Sequence, residues 1–117
     1  MEQESGYRAL IVWKKSIELV ILVYKLTEDF PKSEIYGLIS QMRRCAVSIP
    51  SNIAEGSRRK SKKDFAHFLT IAFGSGSELE TQLEIVRKLP FGQTLDYSQI
   101  ESLLNEVMKM LNRMIDY

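Results

Sequence analysis

The stretch "SIPSNIAEGSRRKSKKDF", residues 48–65, places a proline where the surrounding pattern demands a helix, then sets five basic side chains in the six positions 58–63. The fold turns on how Pro50 is read. On both sides of it, Ile39, Met42, Ala46, Ile49 and Ile53 recur at spacings of three and four, which lines one face of an α-helix. The phase crosses Pro50 without a break, so the pattern predicts one helix over 34–57, kinked at Pro50. An interior proline removes an amide donor and crowds the carbonyl four residues earlier, here Ala46, at a cost of roughly 3 kcal/mol. Ser48, Ser51 and Asn52 stand close enough in sequence to help satisfy that carbonyl. The competing reading is two short helices with Pro50 in the first turn of the second.

Working outward, Phe30-Pro31 breaks the chain before this helix and Ser33 offers an N-cap, while Gly56 offers a C-cap after it. Ser61-Lys62-Lys63-Asp64 has the form of a capping box and opens a third helix, 62–89. Its stripe is Phe65, Phe68 or Leu69, Ala72, Gly76, Leu79, Leu83 and Val86. Gly74 and Gly76 each cost roughly 1 kcal/mol relative to alanine inside a helix, which predicts close backbone approach there. A turn at Leu89–Thr94 leads to a second capping box, Ser98 to Glu101, and a fourth helix over 98–115 carrying Ile100, Leu103 or Leu104, Val107, Leu111 and Met114.

The first helix, 9–30, has Leu10, Trp13, Ile17, Val20 and Tyr24 on one face and Leu19, Ile21, Leu22, Val23 and Leu26 in other directions. A helix apolar nearly all round either runs through the middle of its domain or packs its outer side on another subunit. No stretch alternates as a strand, and no long repeat is visible. The expectation is an all-α protein, an antiparallel up-down-up-down four-helix bundle forming a single domain over 1–117.

Bulk properties narrow the function. With 117 residues and 44% hydrophobic content the chain supports one core. The longest apolar run, Leu19–Tyr24, is far below the roughly 20 residues of a membrane span. The start, MEQESGYRAL, lacks a secretory leader's basic and apolar parts, so a cytoplasmic location without membrane contact is expected. One cysteine, Cys45, and one histidine, His67, allow no internal disulfide and supply too few ligands for a zinc site.

Catalytic constellations are equally sparse. Nothing in sequence pairs His67 with an orienting acid, and Glu78 and Glu80 lie two apart, off a common helical face. Glu80 and Glu84 do share a face, but the Glu-x-x-His pattern of di-metal bundles is missing. Gly74-Ser75-Gly76 interrupts a helical pattern rather than following a strand, so it is not a phosphate loop. Cys45, despite Arg43 and Arg44 beside it, reads as a small buried apolar residue. Neither an enzymatic activity nor a cofactor is expected.

Charge is the distinctive feature. Residues 42–63 hold seven basic residues against one acid, net +6, while the rest holds nine against fourteen, net −5. Arg43, Arg44, Arg58, Arg59, Lys60, Lys62 and Lys63 therefore form the candidate phosphate-binding set, without a motif for reading base sequence. The bland alternative is a solvated helix end that aids solubility.

The strings Gln41-Met42-Arg43-Arg44 and Val47-Ser48-Ile49-Pro50-Ser51-Asn52-Ile53-Ala54-Glu55-Gly56 resemble the family of four-helix-bundle proteins encoded in intervening sequences of bacterial 23S ribosomal RNA genes. Val12-Trp13-Lys14, Glu34-Ile35-Tyr36-Gly37-Leu38, Gly74-Ser75 and Glu78-Leu79-Glu80-Thr81-Gln82-Leu83 match too. The sequence departs from the family pattern at Cys45 and Gly76. The resemblance implies a left-handed bundle assembled as a homopentamer, with no established enzymatic activity. The family is similar, more remotely, to accessory variability proteins of diversity-generating retroelements, pentameric bundles whose basic surface engages a reverse transcriptase and RNA. Pro50, Ser51, Asn52, Glu55 and Gly56 are then the structural motif that directs the basic run to an oligomer rim, with Asn52 and Glu55 turned inward or toward a neighbouring subunit. The resulting expectation is a non-catalytic homo-oligomer that binds RNA, or DNA, as an accessory to a nucleic-acid enzyme. The alternative is a protein–protein scaffold without nucleic-acid affinity.

Overall fold

The four apolar stripes form four helices. The computed structural model describes residues 6–116. They contain α1 (Ile11–Thr27), α2 (Ser40–Ser57), α3 (Lys62–Lys88) and α4 (Ser98–Ile115), with short 3₁₀ turns at Gly6–Ala9, Lys32–Glu34 and Pro90–Gly92 and a π-helical turn at Ile35–Ile39. No strand occurs among the described residues. Each helix packs on its sequence neighbours and α1 closes the ring against α4, as an up-down-up-down bundle requires. The 27 residues of α3, about 40 Å of helix, run along most of the 46 Å long axis.

α2 is a single helix through the buried Pro50, so the two-helix reading fails. Among the described residues no side-chain hydrogen bond reaches the Ala46 carbonyl; the nearby polar side chains engage Ser48 instead. The Asn52 amide donates to the Ser48 carbonyl at 2.8 Å and to its hydroxyl at 2.9 Å, and that hydroxyl shares a 2.8 Å hydrogen bond with Ser75 of α3. Ser51 stays exposed. The recorded departure from helical angles lies earlier, at Gly37 (φ −110°, ψ −116°), so regular α-helix begins at Ser40 instead of residue 34. Ser33 is not the cap; the Glu34 carboxylate accepts from the Leu38 amide at 3.2 Å.

The core repeats the predicted faces of α2, α3 and α4: Met42, Ala46, Ile49, Ile53, Leu79, Val107 and Leu111 are fully buried. Burying a side chain of this size contributes about 1.5–3 kcal/mol. α1 differs from the reading. Its core face is Val12, Ser16, Leu19, Val23 and Leu26, while Ile17 and Tyr24 of the proposed face are exposed. Ser16 and Thr27 tolerate burial because their hydroxyls donate to their own helix, Ser16 to the Trp13 carbonyl at 2.7 Å and Thr27 to the Val23 carbonyl at 2.9 Å.

Close approach explains Gly76 and not Gly74. A Cβ at Gly76 would run into the Met108 sulfur of α4, whereas one at Gly74 would meet nothing within 4 Å. Gly56 lies inside α2 without a positive φ, so it is no left-handed cap; a Cβ there would sit 2.7 Å from the Phe68 Cβ. It lets α2 and α3 converge at their shared turn. At the opposite end, Phe30 packs on Phe91 with ring centroids 5.0 Å apart, and the Tyr97 hydroxyl donates to the Gly92 carbonyl. Ser98 is the first residue of α4 rather than its cap: Tyr97 holds the cap position without a side-chain bond, and the Asp96 Oδ1 before it accepts from the Ser98 amide at 3.0 Å.

Candidate functional site

The helix order puts the end of α2 and the start of α3 at one end of the bundle, together with the start of α1 and the end of α4. Five of the seven candidate cations stand on this end, on or beside the α2–α3 turn. Ser61 caps α3, accepting from the Asp64 amide at 3.1 Å as predicted. That fixes where the first amides of α3 point, and the positive end of the helix dipole adds to the side-chain charge.

Within the turn the cations differ. Arg58 and Arg8 both lie against the Tyr7 ring, at 5.4 and 5.8 Å from its centroid, and a hydrogen bond from Arg58 with the charge of Arg8 holds the Tyr7 phenol below its ordinary pKa. Arg59 stacks over Phe68 at 4.8 Å and pairs with Glu55 at 2.6 Å. Glu55 is thus an exposed i,i+4 partner, not an inward-turned group. Lys60, Lys62 and Lys63 are exposed and make no ion pair among the described residues.

Arg43 and Arg44 do not join this end. Fifteen residues of α2, about 22 Å, separate Arg43 from Arg58. Arg43 is half-buried, donating to the Thr27 hydroxyl at 2.9 Å and the Tyr24 carbonyl at 3.4 Å with its guanidinium 4.4 Å from the Tyr24 ring centroid. It caps the C-terminal end of α1, whose carbonyls favour a cation. In their place the fold brings in Arg8 at Tyr7 and Arg113, which faces Lys62 across an α3–α4 groove. Neither follows from local sequence; the chain order of an antiparallel bundle is the signal that locates both.

The remaining candidates are placed as follows. Cys45 is buried and donates to Glu78 Oε2 at 3.3 Å, with the Gln82 amide donating to its sulfur at 3.5 Å. Burial first, then Glu78, pushes the thiol up, which disfavours the reactive thiolate. His67 is exposed with its ring edge on Phe68. Glu84 is engaged by Lys88 at 2.9 Å and Arg87 at 3.3 Å. Among the described residues no three His, Cys, Asp or Glu side chains converge as metal ligands, and no helix is long and apolar enough to cross a membrane.

A second surface adjoins the basic end. On α1, Ile17, Ile21 and Tyr24, which recur at helical spacing, are 38%, 51% and 39% exposed, and Val47 of α2 is 40% exposed. A groove of about 300 Å³ lined by Tyr7, Trp13, Ile17, Val20, Val47, Pro50, Ser51 and Ala54 runs between them.

These features define an all-α four-helix bundle with one basic end and an apolar flank. The chain belongs to the 23S rRNA-intervening sequence protein family, whose model matches residues 8–113. Its fold is similar to the crystal structure of a protein of unknown function from the S23 ribosomal protein family of Bacteroides thetaiotaomicron, with TM-score 0.74, 27% identity, and 92% of this chain and 96% of that chain covered. No curated protein matches the sequence.

Proposed function

We propose that the protein is a non-catalytic, cytoplasmic homo-oligomer, a pentamer as in the resemblance above, whose basic end binds nucleic acid, RNA above all. The single observation that carries this reading is the α2–α3 turn, where Lys60, Lys62 and Lys63 stand exposed, without ion-pair partners among the described residues, beside Arg58 and Arg59. Unpaired cations at a helix N-terminus suit phosphates, and release of condensed counterions supplies affinity without base readout. Arg8 and Arg113 extend the same surface, while Arg43 acts as an anchor for α1. The apolar flank of α1 and α2 is the face for self-association, which sets several basic ends side by side and multiplies their charge. In this role the oligomer presents RNA to a nucleic-acid enzyme, such as a reverse transcriptase.

The test is binding of fluorescent single-stranded RNA by wild type and by a variant with Arg58, Arg59, Lys60, Lys62 and Lys63 changed to Glu, both checked by light scattering. Binding by the wild type alone, at equal subunit number, supports the reading. No binding by either variant would leave a protein–protein scaffold, the reading favoured by the exposed apolar flank.

A further inference from the structure

We propose that the groove between α3 and the end of α4 binds a free single-chain alkyl carboxylate. The groove has a volume of about 410 Å³, within the roughly 300–1,000 Å³ of small-molecule sites. Phe65, Ala66, Leu69 and Met114 line it, with Lys62 and Arg113 as the charged side chains among the described residues. Lys62, Phe65, Ala66 and Leu69 recur on one face of α3 over two turns, about 11 Å, which makes the groove elongated along the helix.

Leu69 is 1% exposed and forms the floor, Phe65, Ala66 and Met114 are half-buried walls, and Lys62 and Arg113 reach solvent. Neither cation makes an ion pair among the described residues. An apolar trough beside two unpaired cations matches a molecule with a hydrocarbon tail and one anionic head. A nucleobase fits less well. Its amino or ring N–H donors require acceptors, and the polar side chains lining the groove among the described residues are an ammonium and a guanidinium, which only donate. A hydrocarbon chain leaves no such group unpaired, and each methylene it buries tightens binding about fourfold.

The probe is dodecanoate below its micelle concentration, titrated into the full chain by calorimetry and by NMR of the methionine methyls. Saturable binding is expected at one site per chain, with Met114 shifting. Octanoate is expected to bind more weakly, by about fourfold for each methylene it leaves out of the groove. Changing Lys62 and Arg113 to Gln, both exposed and outside the core, is expected to weaken dodecanoate about tenfold and leave dodecanol unaffected. Ala66→Trp, which fills the trough, abolishes binding of both. Equal affinity for dodecanol and dodecanoate in the wild type would overturn the proposal, as would binding undiminished in Ala66→Trp. Binding to anionic vesicles without binding of monomeric dodecanoate would overturn it in favour of a membrane surface. Met114 shifts that follow protein concentration alone would assign the groove to a second copy.

Discussion

Changing Gly56 to alanine is expected to destabilise the bundle, while the same change at Gly74 stabilises it. Both glycines lie within α-helices, so each substitution gains up to about 1 kcal/mol of helix propensity. Their surroundings decide the sign. A Cβ at Gly56 would stand 2.7 Å from the Phe68 Cβ and 3.3 Å from the Phe65 carbonyl oxygen, atoms fixed to the α3 backbone that no rotamer change moves. α2 and α3 must therefore part at the turn that carries the basic residues. Overpacking of this kind costs typically 1–3 kcal/mol, leaving a net loss of up to about 2 kcal/mol after the propensity gain. At Gly74 the new methyl meets nothing within 4 Å, and the gain stands unopposed. The propensity gain is common to both, so the two variants should differ by the overpacking cost of about 1–3 kcal/mol, or roughly 4–12 °C in Tm for a domain of this length. Thermal and urea unfolding followed by circular dichroism at one fixed protein concentration measures the difference. Equal stabilisation by both substitutions would refute the argument, because it would mean that α2 and α3 do not converge at Gly56.

Three further outcomes follow from the contacts. Arg43→Met removes two hydrogen bonds at the end of α1 and is expected to cost about 1–2 kcal/mol in urea unfolding while leaving RNA affinity unchanged; a selective loss of RNA binding would contradict its anchoring role. Cys45 has a raised pKa, so the unfolded chain ionises first and stability falls as pH rises from the ordinary thiol range through the folded value. Cys45→Ala should flatten that alkaline fall, and iodoacetamide should label wild-type Cys45 far more slowly in the folded than in the urea-unfolded protein. The Ser98 amide and hydroxyl hold the Asp96 carboxyl below its usual range, giving a contribution present above the unfolded value and lost as pH falls through the folded one. Asp96→Ala should remove this acid-side loss from the urea midpoint measured against pH.

Much of the architecture is written in local pattern, and the exceptions have identifiable causes. The core faces of α2, α3 and α4 carry apolar side chains at nearly every inward position, so spacing alone locates Ile49, Leu79 and Val107. On α1 the inward positions Ser16 and Thr27 are polar, and their hydroxyls bond backward to their own helix. The core stripe is thereby disguised, and the more continuous apolar line through Ile17 and Tyr24 is the outer flank. Capping was legible at Ser61, whose hydroxyl accepts from an amide three residues on, but the same pattern misleads at Ser98, which opens α4 and has its own amide held by Asp96 two residues earlier. For the basic end, the run from Arg58 to Lys63 is contiguous and visible, whereas separating Arg43 and recruiting Arg8 and Arg113 depend on which chain segments meet at each end. Charge counted along the sequence does not carry that information.

The measurement that bears most directly on the account is the salt dependence of single-stranded RNA affinity for wild type, Arg43→Met and the charge-reversed turn. Each phosphate neutralised contributes about −0.7 to the slope of log affinity against log salt, so five cations predict a wild-type slope of about −3.5 per site. The account predicts that Arg43→Met keeps this slope and that reversing residues 58–63 abolishes binding. Wild-type binding that is absent, or that does not weaken as salt rises, would contradict it.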